Sequence, residues 1–188
     1  MRKIFLCIAV VLGTLSLQAQ TPKPTALPAQ NTVKITDPVK YNDYIVGEQD
    51  RIGQELLKLI GMFDALPEEE QTCIDQLEIV LTTCKSAIAN VEKLKPIEHE
   101  FGLKNASIEL FKFYDRIIDS DYRVIIGELY AEVPDLEKMQ GVLTRVTEEE
   151  ATYDAAFQKA QQSFAEYHNM DLRPNEMQEQ FDEAGEDE

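Results

Sequence analysis

Four runs of apolar residues recur at alternating three- and four-residue spacing, and that period restricts this chain to packed helices. The first interleaves Ile45, Ile52, Leu59 and Leu66 with Leu56 and Phe63; the second is Ile74, Leu77, Leu81, Cys84, Ile88 and Val91. The third runs Ile108, Phe111, Ile118, Tyr122, Ile125 and Leu129. The fourth runs Leu136, Met139, Leu143, Val146, Tyr153, Phe157, Ala160 and Phe164. Such spacing gathers each run on one face of an α-helix, and each face must be covered. With short proline-marked turns between the runs, the expected fold is all-α: an antiparallel up-and-down four-helix bundle of long helices.

The punctuation agrees with the stripes. Asp37-Pro38 supplies an N-cap and a proline at the first helical position. Pro67 with Glu68, Glu69 and Glu70 opens the second helix, and Lys93, Lys95 and Pro96 close it. The third helix is expected over roughly 97–131, with Gly102 or Asn105-Ala106-Ser107 delaying its regular start. Pro134 and Asp135 begin the fourth, which reaches to about Met170.

Outside the bundle, 37–170, three further segments are expected. Residues 1–19 read as a signal peptide: Arg2 and Lys3, an apolar run from Ile4 to Leu17, and Ala19 before the cut. That run is too short for a comfortable membrane span, and no later stretch approaches one. Residues 20–36, with three prolines and several Thr and Gln, read as a flexible linker. Residues 171–188 hold eight acids against Arg173 alone and read as an acidic disordered tail. The expected location is exported: periplasmic, surface-associated or secreted.

Charge narrows the partners. Losing Arg2 and Lys3 with the signal leaves 16 basic against 35 acidic residues, a formal charge of −19. Phosphate backbones and anionic headgroups are repelled by such a field, so nucleic acid is not an expected partner. Of the cysteines, Cys73 and Cys84 survive processing. Eleven residues of continuous helix would hold them about 16 Å apart, beyond disulfide reach. Two buried thiols are expected.

Two places break the stripes. One end of the bundle collects Tyr41, Asn42, Tyr44, Gln49, His99, Phe101, Lys104, Tyr167 and His168. Asn42 and Gln49 take the heptad positions that Leu56 and Phe63 occupy lower down. Tyr41, Asn42, Tyr44, Gln49 and His168 are therefore the candidate binding residues, a polar and aromatic end suited to a contact surface. Near mid-bundle, Asp115 and Glu150 take stripe positions on the third and fourth helices at similar heights, with Arg51 and Arg116 available to pair with them. A facing acid pair would need a cation or a shared proton, which makes a small-ligand or metal carrier the alternative to an interaction protein.

Catalytic signatures are missing. Neither His99 nor His168 has Glu three residues before it, as a helix-borne di-iron site needs. There is no Cys-x-x-Cys-His, no His-Glu-x-x-His and no Gly-rich phosphate loop. No enzyme activity, cofactor or catalytic residue is expected.

The segment Tyr41-Asn42-Asp43-Tyr44-Ile45-Val46-Gly47-Glu48-Gln49 behind a signal and linker resembles a family of helical bacterial surface proteins of leptospiral and Bacteroidetes type. The resemblance implies an envelope location and a helical fold. It carries no activity and no catalytic residues. The expected partner is another envelope protein.

Overall fold

A computed structural model describes residues 32–172. The segment read as a signal peptide, the stretch read as a linker up to residue 31 and the stretch read as a tail from residue 173 lie outside the described residues.

The chain forms α1 (Pro38–Ala65), α2 (Glu70–Glu92), α3 (Leu103–Ile117), a π-helical turn (Ile118–Tyr122), α4 (Arg123–Leu129) and α5 (Leu136–His168). Because α3, the π turn and α4 run on without a break, there are four rods, arranged as the stripes require. Along the bundle α1 packs on α2, α2 on α3 and α3 on α5. At one pole α1 also meets α5, through Tyr41 against Phe164 and Asn42 against Gln161.

The caps are those the sequence offers. The Asp37 carboxylate accepts from the Lys40 amide at 3.0 Å, ahead of Pro38 at the first helical turn. Asp135 accepts from the Lys138 amide at 2.9 Å. Each satisfies an amide that has no partner within its own helix. α1 ends at Leu66 in the left-handed region, with its amide bonded to the Met62 carbonyl. That turn lifts Leu66 out of its stripe and leaves it exposed.

One continuous core runs through the bundle, from Tyr41, Ile45, Ile52, Leu56 and Leu59 on α1 to Val146, Phe157 and Phe164 on α5. Cys73 and Cys84 are both buried free thiols on an unbroken α2. Burial pushes the Cys84 thiol up to about 12, with the Asp115 carboxylate adding to the effect.

Three features depart from expectation. Leu136, the first residue of the fourth stripe, is exposed, because it opens the first turn of α5 beyond the packed region. On α3, Tyr114 rather than Asp115 points into the core: Leu110, Tyr114 and Ile117 are fully buried, while Asp115 sits half-buried on the flank. The third helix is also not regular. The π turn inserts extra backbone that rotates the following residues, so the faces on both sides of it reach the same core. Ser120 supports the turn, its hydroxyl donating to the Arg116 carbonyl at 2.9 Å.

Within the stretch read as a linker, Val33 forms a parallel bridge with Leu94. Its amide donates to the Lys93 carbonyl at 3.0 Å and its carbonyl accepts from the Lys95 amide at 2.9 Å. Among the described residues no helix is long and apolar enough to cross a membrane.

Candidate functional site

The pole where α1 begins and α5 ends is built on the loop between α2 and α3. Its backbone is unusual. His99 has φ +54°, Phe101 φ +53° and Gly102 φ +79°. Gly102 takes this conformation freely, but His99 and Phe101 meet a steric penalty of roughly 1–2 kcal/mol each. Such conformations persist only where the surroundings impose them. Here the Lys104 ammonium donates to the Glu92 carbonyl at 2.9 Å and the Leu94 carbonyl at 2.5 Å. From the other side the buried Tyr41 hydroxyl donates to the Glu100 carboxylate at 2.8 Å. The Val33 bridge ties down the start of the same loop.

The loop thereby holds two rings against the last turn of α5. His99 lies 4.2 Å from the Tyr167 ring, Phe101 5.5 Å from Tyr167, and Tyr167 meets His168 edge-on at 5.0 Å. His168 packs on Phe164 at 4.5 Å, and Phe164 on Tyr41 at 5.8 Å. The row of rings begins in the core and ends in solvent: Tyr41 is fully buried, whereas Phe101 is 48% and Tyr167 50% exposed. Glu98 continues the row, with its carboxylate 3.5 Å from the His99 ring nitrogen and its side chain 88% exposed.

The five candidate binding residues divide on this geometry. Tyr41 and Asn42 are fully buried, Asn42 accepting from the Gln161 amide at 2.9 Å. They brace the pole from within. His168 joins the ring cluster, and its Nε2 is buried without a hydrogen-bond partner among the described residues. Gln49 lies buried two turns further along α1. Tyr44 is half-buried beside Glu48 and Arg51; burial first, then the Glu48 charge, raises its phenol above the usual range. The solvent-facing groups are His99, Phe101 and Tyr167, which the sequence places at this end without singling them out.

Mid-bundle, the acid pair is not a pair. Burial pushes the Glu150 carboxyl up to about 9. It accepts from the buried Tyr114 hydroxyl at 3.3 Å. Asp154, one turn on, is likewise raised by burial, to about 6. Asp115 instead faces the Cys84 and Lys85 side; burial raises its carboxyl and the Lys85 charge opposes the rise. Arg51 pairs with Glu48 at 2.7 Å and Arg116 with Glu149. Neither arginine answers Asp115 or Glu150 as the spacing had suggested. Among the described residues no grouping of three or more His, Cys, Asp and Glu could hold a metal ion.

Tyr122, on the π turn, is fully buried, and its hydroxyl has no hydrogen-bond partner among the described residues. Burial raises its phenol far above the usual range, and the nearby Glu150 and Asp121 carboxylates add to the shift. An unpartnered buried hydroxyl costs about 1–3 kcal/mol. Tyr122→Phe should therefore keep or raise the melting temperature; a clear drop on thermal denaturation would mean that the hydroxyl has a stabilising partner.

No family model, curated protein or solved structure matches the chain.

Proposed function

We propose that this chain is an exported, non-catalytic helical protein of the cell envelope or surface that works by docking another macromolecule onto its aromatic pole. One observation carries the reading: two non-glycine residues in left-handed backbone, His99 and Phe101, present half-exposed rings beside Tyr167. A loop needed only to join α2 to α3 could follow a relaxed path with polar residues. Strain held in place by Lys104 and Tyr41, together with contiguous exposed rings, is a feature of contact surfaces. The fully buried Tyr41 and Asn42 give that surface a rigid base, which lowers the ordering cost of docking.

The test is site-specific photocrosslinking in the envelope of the protein's own host. A crosslinker replacing Tyr167 should give a discrete adduct that Phe101→Ala removes. The same crosslinker at Val133, 85% exposed near the opposite pole, should give none. Equal yields at the two positions, or no adduct at Tyr167, would overturn the proposal.

A further inference from the structure

The charge around the aromatic pole specifies what kind of group docks there. Glu98 extends almost wholly into solvent with its carboxylate beside the His99 ring, and Glu100 follows two residues later. α5 ends at this point, so the partial negative charge at the carbonyl end of a 33-residue helix lies next to Tyr167. The Lys104 ammonium keeps its charge but is fixed at the start of the loop by the Glu92 and Leu94 carbonyls. Lys93 and Lys95 lie at the start of the loop, on the Val33 side. What remains at the α5 end is a row of electron-rich ring faces with a carboxylate at its rim.

Building on the docking role proposed above, we infer that this pole binds a cationic side chain, an arginine or lysine on a segment of the partner protein. A guanidinium or ammonium over a tyrosine or phenylalanine face is attracted by the ring quadrupole, worth about 2- to 5-fold in affinity per ring at an exposed site. An arginine also offers a planar fork that fits a carboxylate and stacks on a ring at once. The site thus joins both kinds of arginine recognition within one ring cluster. A net charge of −17 over the whole chain draws such a partner from a distance.

The test is an NMR titration of the chain with three short Gly/Ser peptides of equal length. One carries two arginines, one two glutamines, and one two glutamates. The arginine peptide should shift the Phe101, Tyr167 and His99 ring signals. Glu98→Gln should weaken its binding about 3-fold, and Tyr167→Leu should weaken it further while leaving the fold intact. The glutamine and glutamate peptides should leave the rings unmoved. Equal binding of arginine and glutamine peptides would overturn the cation inference, as would no response to arginine. So would concentration-dependent self-association abolished by Phe101→Ala, which would make a second copy the occupant. The photocrosslink at Tyr167 separates the two levels. If it survives while the arginine peptide fails, the docking role stands and the cationic specificity falls.

Discussion

Acidifying the protein from pH 7.5 to pH 5 should raise its melting temperature by roughly 10 °C, and Glu150→Gln should remove most of that rise. The cause is the carboxyl on α5. In the unfolded chain Glu150 ionises near its usual value of 4.5; in the bundle burial lifts it to about 9. Below pH 4.5 it is neutral in both states and burial carries no ionisation penalty. As pH rises from 4.5 towards 9, the unfolded chain releases the proton while the folded chain keeps it, so stability falls throughout that window. At about 1.4 kcal/mol per pH unit, the loss between pH 5 and 7.5 is on the order of 3 kcal/mol. For a bundle of this size that corresponds to the stated shift. Asp154, raised from 3.8 to about 6, adds a smaller loss that is complete by about pH 6. Glu55 and Glu128 act oppositely: contacts with Lys58 and Lys138 lower them, so their contribution is present above pH 4.5 and lost below it. Glutamine at position 150 keeps the shape and the contact with Tyr114 without a charge to bury. Melting curves across the pH range are the check. If the chain and Glu150→Gln showed the same slope, Glu150 would not be held neutral by the core.

The second large effect is expected at Tyr41. Tyr41→Ala should cost about 3–5 kcal/mol, the range for truncating a fully buried aromatic residue. It removes a ring packed on Phe164 and the hydroxyl that holds Glu100. Tyr41→Phe keeps the ring and loses only that hydrogen bond to a carboxylate, so about 2 kcal/mol is expected in chemical denaturation. The two variants should also separate in amide exchange. Tyr41→Phe should speed exchange around residues 99–102 and leave the middle of α2 unchanged. If Tyr41→Phe left the loop as protected as before, the strained backbone would have to be held from elsewhere.

The heptad stripes made the four rods and their ends legible, because apolar spacing, Asp37, Pro38 and Asp135 act locally and point the same way. The mid-helix register was less legible. The spacing Phe111–Asp115–Ile118 fits a stripe as well as Leu110–Tyr114–Ile117 does. Only packing against α2 and α5 places Tyr114 inside and Asp115 on the flank. The π turn has no spacing signature, since a rotated register resembles a slightly irregular stripe. At the pole the sequence singled out this end through Asn42 and Gln49 interrupting the stripe. It could not say which residues there face out, because exposure of Phe101 and Tyr167 depends on a left-handed loop. Gly102 signals that loop; the left-handed His99 and Phe101 do not.

An even number of antiparallel rods returns the chain to where it started. Val33 joins the bundle beside Leu94, and Asn169 and Met170 close α5 beside the ring cluster, so both chain ends of the bundle lie at the aromatic pole. The far pole, with the turns at residues 66–69 and 130–135, has neither. Anything fused to either end of the bundle therefore crowds the exposed rings of that pole. Cargo inserted beside Val133 would sit about a helix length away, roughly 45 Å along the rods. A reporter meant to leave those rings clear belongs in that turn.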